Sequence, residues 1–433
     1  MSVGLQRLRD DADRLRAGAV EKGEDPAIVD AAVACDAQRR TLLGESDGLK
    51  AERNAISKSI GDAIKGGADP GGPEVAKARE RSIDLGARIE TLDGELAAIE
   101  LDLEELMLRI PNPADPGVPI GGEDASIIVR SWGEPAAHEW PDGEHRAPHW
   151  ERGEALGMLA LEAGAKVTGS GFPIYRGPGA ALQRALIDYM IGVHTREHDM
   201  IEIWPPALVN AASARGTGQI PDKEELMYVV TRDELYLVPT AEVPVTNIHR
   251  DEIIEAADLP IRYVAYSPCF RREAGAAGKD TRGILRVHQF DKVEMVCFER
   301  PAESDATLEW LTARAEVILQ RLELPYRVKL MATGDMGFVQ AKKYDLEVWA
   351  PGVERWLEVS SVSNFRDYQA RRMDIRWRPE PGAKPEILHT LNGSGLALAR
   401  TVAAILEVHQ RPDGSLSIPT VLRPHMGVDS VPA

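Results

Sequence analysis

The stretch SPCFRREAGAAGKDTRGILRVHQFDKVEMV, residues 267–296, carries the side chains best suited to chemistry. Two extended segments flank a glycine-rich loop, which predicts a long β-hairpin. Because alternate residues of a strand share a face, Arg271 and Glu273 would point the same way on the first strand. One face of the return strand would carry Arg286, His288, Phe290, Lys292 and Glu294. Arginine can grip phosphate bidentately and phenylalanine can stack on a purine, so this face suits a nucleotide. The solvent-facing side of an ordinary antiparallel sheet is an equally good explanation of the pattern alone.

The same stretch resembles motif 2 of the class II aminoacyl-tRNA synthetases in its seryl form. The resemblance implies that Arg271 holds the α-phosphate of ATP and the carboxylate of the amino acid. Arg286 would contact the distal phosphates, and Phe290 would stack on adenine. The remaining ATP contacts that the resemblance implies here are Arg272, Glu273 and Val287. Arg272 stands where the family more often has a small or polar residue.

The segment LNGSGLALARTVAAILEVHQ, residues 391–410, is similar to motif 3 of the same family. A helix is predicted after the small residues, and the resemblance implies that Arg400 reaches the γ-phosphate. Ser394 and Asn392 would lie in the amino-acid pocket. Without the resemblance, Ser394 would be interpreted as a helix N-cap, a common role for serine.

The short segment VPTAEVP, residues 238–244, is the third match. Prolines flank Thr240 and Glu242, so both side chains are expected to face one pocket from a rigid extended segment. The resemblance identifies Thr240, Ala241 and Glu242 as the serine-binding loop, and Glu294 would complete the site. Carboxylates suit this role because they accept hydrogen bonds from both an ammonium group and a hydroxyl group.

The segment LEVSSVSNFRDYQARR, residues 357–372, resembles the strand that binds the metal ion in this family. Glu358 and Ser361 would be ligands of Mg²⁺, a hard cation that prefers oxygen. The resemblance also implies that Glu358, Val359, Ser360 and Ser361 all contact ATP.

The segment HDMIEIWPPALV, residues 198–209, resembles motif 1, and Pro206 occupies the position of its dimer-forming proline. GTGQIP, residues 216–221, is also typical of the family. The residues from His194 to His198 match H-x-x-E-H, a pattern of inverted zinc proteases. Because such short strings recur by chance, a solvated helix end is the preferred interpretation of the two histidines.

The N-terminal region predicts the element that would present a large partner. Leu85, Leu92, Ile99 and Leu106 recur every seven residues, and a second apolar position follows each of them by four. This pattern predicts a coiled coil. Its partner would be the preceding segment, which has a poorer second seam because Arg39, Ser46 and Arg53 occupy it. Between the two lies GGADPGGP, residues 66–73, which predicts the tip of a hairpin.

The charges of this arm suggest a partner only weakly. Basic residues are more frequent near the tip, and acidic residues dominate the base of the second helix. A basic tip suits a phosphate backbone, but the solvated surface of a coiled coil with mixed charges explains the same pattern better. The formal charge of the chain, −18 at pH 7, also argues against a general nucleic-acid binder, so contacts with RNA would be confined to patches.

Composition restricts the class of protein. The 433 residues suffice for two or three domains. The N-terminus is charged and lacks the apolar core of a secretory signal. Cys35, Cys269 and Cys297 are too few and too widely spaced for a disulfide framework or a C-x-x-C metal pair. We therefore expect a cytoplasmic protein without a membrane span.

The predicted fold class is α+β, with an antiparallel two-helix arm followed by a catalytic domain on an antiparallel sheet. The predicted domains are an arm over residues 1–112 and a class II catalytic domain over residues 113–433, with a proline- and glycine-rich linker over residues 113–124. The resemblance implies a homodimer that activates serine with ATP and Mg²⁺. It would then charge serine tRNA, whose long variable arm the coiled coil would grip, with selenocysteine tRNA as a second candidate substrate. Two alternatives stay open, a relative that loads an amino acid on a carrier protein and a non-catalytic coiled-coil adaptor.

Overall fold

The computed structural model describes residues 3–135, 140, 145–274 and 282–433. The chain forms two compact units, one from residues 3–20 and 24–111 and the other from residues 21–23 and 112–433. The helices of the N-terminal region are α1 (Leu5–Asp10), α2 (Ala12–Glu21), α3 (Ala27–Lys65) and α4 (Pro73–Leu108). No helix in the described part of the chain is both long and apolar enough to cross a membrane.

Helices α3 and α4 pair along their length and confirm the predicted two-helix arm. Leu85, Ile89, Ile99 and Leu103 are buried on α4, as the heptad pattern predicts. The turn between the helices spans residues 66–72, where the glycine-rich segment predicted a hairpin tip. Pro73 occupies the first position of α4, where its missing N–H costs no intrahelical bond.

The poorer seam of α3 is satisfied by polar pairs with α4. Ser46 is fully buried, and its hydroxyl donates to Asp93 at 2.8 Å. Arg39 donates to Glu100 at 3.2 Å. Polar residues at apolar positions of a heptad are therefore accommodated because the opposite helix supplies acidic partners.

The second unit is built on a mixed sheet with several short accessory sheets. Its strands are β1 (Ile127–Trp132), β2 (Leu159–Ala160), β3 (Ile174–Tyr175), β4 (Ile201–Ile203), β5 (Leu208–Asn210), β6 (Val229–Val230), β7 (Leu235–Leu237), β8 (Ile253–Glu255), β9 (Ile261–Phe270), β10 (Gln289–Glu299), β11 (Tyr326–Leu330), β12 (Lys342–Ala350), β13 (Arg355–Asn364), β14 (Arg376–Arg378), β15 (Glu386–Ile387), β16 (His389–Ala397), β17 (Leu416–Ser417) and β18 (Ser430–Val431). Its helices are α5 (His149–Ala155), α6 (Leu161–Val167), α7 (Pro178–Glu197), α8 (Ala211–Thr217), α9 (Glu242–Thr246), α10 (Ser304–Arg321), α11 (Tyr368–Arg372), α12 (Leu398–Val408) and α13 (Arg423–Met426).

The main sheet has the strand order β1-β11-β12-β13-β16-β10-β9-β4 in the described residues. Neighbouring strands are antiparallel except β4 and β9, which are parallel. This arrangement confirms the predicted α+β class. Helices α7, α10 and α12 contribute to a large core against one face of the sheet.

Strand β10 shows how the sheet separates its core from its polar face. Val293, Met295 and Cys297 are buried in the large core with the three helices. The intervening residues Lys292 and Glu294 line a cavity. The alternation predicted from the sequence is therefore correct over this strand.

Two sequence predictions about the hairpin are wrong in detail. Strand β9 ends at Phe270 and β10 begins at Gln289, so Arg271, Glu273 and Arg286 lie just beyond the paired strands. The glycine-rich part of the loop, residues 275–281, lies outside the described residues.

Candidate active site

Two adjoining cavities lie in the second unit, with volumes of about 440 and 220 Å³. Predicted site residues that line the larger cavity are Thr240, Glu242, Arg271, Glu273, Arg286, Glu294, Glu358, Ser361, Asn392 and Ser394. Predicted site residues that line the smaller cavity are Arg271, Glu273, Arg286, Val287, Phe290, Glu358, Val359, Ser360, Ser361, Ser394 and Arg400. The two cavities share several of these residues, so they form one continuous site.

Antiparallel pairing brings the three central strands of the floor together. Glu294 on β10 pairs with Ser394 on β16, and β16 also pairs with β13. The hydroxyl of Ser394 donates to Glu294 at 3.3 Å. Ser394 is thus part of a strand, four residues before α12, and the alternative N-cap interpretation is wrong.

The larger cavity contains a buried group of charges. Lys292 Nζ lies 2.6 Å from Glu294 Oε2, and these side chains are only 9% and 2% exposed. Glu242 is also buried, and its carboxylate accepts a hydrogen bond of 2.6 Å from the amide of Gln369. Burial and the nearby charge of Glu294 raise the pKa of Glu242 to about 7, against the opposing effects of Gln369, Lys292 and Lys223. The cavity therefore contains two buried carboxylates, and burial makes their electrostatic interactions stronger than they would be in water.

The sequence predicted an extended segment around Glu242, but this prediction is wrong because the segment is helical. Glu242 is the first residue of α9, and the hydroxyl of Thr240 accepts a hydrogen bond from its N–H at 3.1 Å. Pro244 lies in the first turn of the helix, where a proline is tolerated because its N–H would have no intrahelical partner. Both side chains still line the cavity.

Arg286 and Arg400 are held by the protein itself. Arg286 Nε donates to Glu273 at 2.5 Å. Arg400 donates to the carbonyl oxygens of Leu285 and Glu358 at 3.1 and 2.8 Å. These contacts fix the two guanidinium groups beside the smaller cavity.

Arg271 differs from these two arginines. Its guanidinium lies 5.2 Å from the centre of the Phe290 ring and has no side-chain hydrogen bond to any residue that the structure describes. It lines both cavities. Arg271 could therefore bind a ligand without first breaking a side-chain hydrogen bond to a described residue.

The two residues predicted as ligands of a cation both carry side-chain oxygen atoms at the cavities. Glu358 and Ser361 lie on β13 and line both cavities. Partial burial would raise the pKa of Glu358, but Lys343, Arg400 and Arg271, with a further contribution from Lys292, lower it below its ordinary value. A carboxylate that stays ionised, with a hydroxyl three residues away on the same strand, fits a hard cation that completes its shell with water and phosphate.

Two predicted site residues are not brought to either cavity in the described structure. Ala241 is fully buried and belongs to a small core with Val245 and Ala265. Arg272 is exposed and donates to the carbonyl oxygen of Glu225 at 3.0 Å. Their neighbours reach the cavity because successive residues of these turns point in different directions.

Sequence reasoning did not identify several polar residues that line the larger cavity, which are Gln219, Lys223, Asp335, Gln340, Lys343 and Ser363. Gln219 lies in the family-like GTGQIP segment, which was a usable signal. Lys343 forms an ion pair of 3.0 Å with Asp345, a periodic neighbour on β12. Lys223, Asp335 and Gln340 come from loops whose position depends on tertiary packing, whereas Ser363 lies on β13.

The interpretation of His194 and His198 as a solvated helix end is wrong. The rings are 0% and 5% exposed, and their Nδ1 atoms lie 3.0 Å apart. Burial and nearby positive charge lower the pKa of His194 to about 3 and that of His198 to about 4. The pair is therefore neutral and internal at neutral pH.

Comparison with known proteins agrees with this geometry. Residues 4–114 match the family model "Seryl-tRNA synthetase N-terminal domain", and residues 228–409 match "tRNA synthetase class II core domain (G, H, P, S and T)". The chain is 51% identical to a serine–tRNA ligase of Thermomicrobium roseum over 98% of its length and 93% of the relative. It superposes with a TM-score of 0.91 and 36% identity on seryl-tRNA synthetase from Pyrococcus horikoshii complexed with ATP, over 99% of each chain. A cytoplasmic serine–tRNA ligase from Naegleria fowleri in complex with AMP superposes with a TM-score of 0.88 and 28% identity, over 99% of this chain and 98% of that one.

These matches extend over both units, and they coincide with the paired strands and converging arginines of the cavities. The predicted resemblance is therefore confirmed, and the chain belongs to the seryl-tRNA synthetase family of class II ligases that form aminoacyl-tRNA.

Proposed function

We propose that the larger cavity binds L-serine and that the adjoining smaller cavity binds ATP. The observation that carries this proposal is the convergence of two carboxylates, Glu242 and Glu294, with the guanidinium of Arg271, which makes no side-chain hydrogen bond to the described residues. The carboxylates suit the ammonium and hydroxyl groups of serine, and Arg271 suits its carboxylate. Thr240, Asn392 and Ser394 supply further polar contacts to this amino acid.

ATP would lie along the smaller cavity. Phe290 would stack on adenine, and Arg271, Arg286 and Arg400 would contact the phosphates. Glu273, Val287, Val359 and Ser360 line the same space. The position of Arg272 makes a direct ATP contact by its side chain less favourable than the sequence predicted.

Glu358 and Ser361 are the residues that would hold Mg²⁺, through a carboxylate and a hydroxyl oxygen. The cation supplies neutralisation of phosphate charge when it is bound. Glu358 stays ionised in this environment because of the surrounding lysine and arginine side chains.

The first step is an in-line displacement at the α-phosphorus of ATP. A carboxylate oxygen of serine forms the new bond, pyrophosphate leaves with the electrons of the broken bond, and seryl-adenylate remains. No protein nucleophile is required, since the three arginines position the reactants and stabilise the developing charge. In the second step a hydroxyl of the terminal ribose of tRNA attacks the acyl carbon, and AMP leaves.

The arm would serve the second step. We assign residues 1–112 to tRNA binding and residues 113–433 to catalysis, with 113–124 as the linker. Helices α3 and α4 expose several basic side chains towards the tip, which include Lys58, Lys65 and Lys77. Such residues suit the phosphate backbone of the long variable arm of serine tRNA, and selenocysteine tRNA is a second candidate.

A homodimer accounts for apolar surface around motif 1. Ile201 is 60% exposed and Trp204 is 78% exposed, and both lie close to Pro206 on the β4 edge of the main sheet. Large exposed apolar side chains on a sheet edge favour association with a second copy. The proposed location of this dimer is the cytoplasm, where its tRNA substrates are found.

The test is amino-acid-dependent exchange of pyrophosphate into ATP. It is measured in the presence of Mg²⁺ with each of the twenty amino acids in turn. Serine should support exchange best. Alanine should be poorer by up to about 10⁴-fold, because it leaves the polar groups arranged for a hydroxyl without a partner. Exchange with another amino acid and none with serine would refute the assignment of the pocket.

A further inference from the structure

A buried glutamine lies directly behind the carboxylate of Glu242. Gln369 belongs to α11, lines neither cavity and is 1% exposed. Its Nε2 donates to Glu242 Oε1 at 2.6 Å and to the carbonyl oxygen of Thr217 at 3.2 Å. Its Oε1 accepts a hydrogen bond of 2.8 Å from the hydroxyl of Thr390.

These contacts leave a single orientation for the amide. The carbonyl oxygen of Thr217 can only accept, so the amino end of Gln369 must face it. The same amino end then faces Glu242, and the hydroxyl of Thr390 donates to the opposite end. A flipped amide would place its oxygen against both the Thr217 carbonyl oxygen and the Glu242 carboxylate, and it would lose both bonds.

Gln369 also links Glu242 to strand β16, because it forms hydrogen bonds with both Glu242 and Thr390. Thr390, Asn392 and Ser394 alternate along β16, so they share one face of that strand. Asn392 and Ser394 line the larger cavity, whereas Thr390 lies beyond its end and binds Gln369 instead. The position of the Glu242 carboxylate is thereby fixed relative to the strand that carries two other pocket residues.

We propose that Gln369 is a positioning residue for serine, because its amide holds Oε1 of Glu242 and leaves Oε2 directed to the substrate. This inference rests on the proposed assignment of the larger cavity to serine. The charged groups that face Glu242 are Glu294, Lys292 and Lys223, on β10 and the segment after α8. Gln369 supplies a neutral donor, which favours the ionised form of Glu242 without adding a charge.

The main experiment replaces the amide by an apolar group of similar length, Gln369→Met. We expect the KM for serine in pyrophosphate exchange to rise about 10- to 100-fold, because a hydrogen bond to a charged group is lost. The KM for ATP should change by less than about twofold, since Gln369 lies away from the nucleotide cavity. The split between the two substrates separates a positioning role from a general loss of structure.

The pH profile gives a second readout. The pKa of Glu242 is about 7, so the affinity for serine should be highest above this pH, where the carboxylate is ionised. The affinity should fall as the pH drops through this value and the carboxylate is protonated. Loss of the Gln369 donor raises this pKa further, because that hydrogen bond lowers it. In Gln369→Met the weakening should begin at a higher pH, and alkaline conditions should recover part of the affinity.

Two further variants serve as controls. Gln410 is another buried glutamine, 4% exposed, whose amide bonds to the backbone of Ala147 away from both cavities. Gln410→Met should leave both KM values and the pH profile unchanged. Thr390→Val removes only the contact on the far side of Gln369, and it should raise the KM for serine by about two- to fivefold in a folded protein.

Glu242→Gln separates failure of this inference from failure of the proposed function. If Glu242→Gln impairs serine binding but neither Gln369→Met nor Thr390→Val changes the KM for serine, the positioning role is overturned and the serine pocket stands. If Glu242→Gln leaves the KM for serine unchanged, the assignment of the pocket itself fails. Equal increases in both KM values, or a lower melting temperature with an unmoved pH profile, would show that Gln369 is merely structural. Should Gln369→Met fail to fold, Thr390→Val decides the question alone.

Discussion

Charged side chains form close ion pairs both in the arm and in the larger cavity, but only the pair in the arm is largely exposed. Lys50 and Asp93 join α3 to α4 at 2.9 Å, and their side chains are 41% and 45% exposed. Lys292 and Glu294 lie 2.6 Å apart with 9% and 2% exposure. Solvent and salt screen the exposed pair, so it contributes little to stability. The buried pair cannot lose one partner without leaving an uncompensated charge. Ion pairs of similar geometry therefore matter little for stability on the arm and much more in the cavity.

The largest expected effect separates the two regions by function. Replacing residues 30–108 with a short linker should lower tRNA charging by about 10³-fold or more, because the phosphate contacts of the arm are lost. Serine-dependent pyrophosphate exchange should persist, since every residue that lines the cavities lies outside the deleted segment. Both reactions are measured on the same preparation. Normal charging after the deletion would contradict the role proposed for the arm.

A smaller effect is expected from one arginine of the cavity. Arg271→Ala should lower exchange by about 10²- to 10³-fold, because it removes a donor aimed at developing charge. Its neighbour Arg272 points away from the cavities, so Arg272→Ala should have a much weaker effect. Exchange rates and circular dichroism of the two variants provide the comparison. Similar losses in both would mean that the geometry does not distinguish these adjacent side chains.

The smallest effect concerns the seam of the arm. Leu85 is fully buried, so Leu85→Ala should destabilise the arm by about 2–5 kcal/mol. Ile83, two residues earlier, is 72% exposed, and Ile83→Ala should change the unfolding free energy little. Helical circular dichroism during denaturation measures both variants, and exchange should be unaffected in each. Equal destabilisation by the two substitutions would show that the heptad does not define the packed face.

The sequence predicted the two regions to different depths for physical reasons. The arm depends on local periodicity, so the seven-residue spacing of Leu85, Leu92 and Ile99 was sufficient to predict its packed helix. The alternation of Phe290, Lys292 and Glu294 was likewise sufficient to predict that these residues share one face of β10. The meeting of segments that are distant in the sequence could not be predicted in this way, and this is why Lys223 in a loop and Lys343 on β12 were missed.

Local context also misled the predictions at particular residues. Prolines around Thr240 and Glu242 suggested an extended segment, but a proline is equally compatible with the first turn of a helix. His194 and His198 were expected at a solvated helix end because short strings such as H-x-x-E-H recur by chance. Burial of that helix against the sheet decides their environment, and no local pattern reports it.

The two-sided character of β10 restricts how the specificity of this enzyme can change. Lys292 and Glu294, which line the larger cavity, are each separated by one peptide unit from Val293, which is packed in the core with α7, α10 and α12. A bulkier side chain on the interior surface would displace the backbone and so shift Lys292 and Glu294 together. Laboratory evolution towards a different amino acid must therefore alter interior packing and ligand contacts as a matched set.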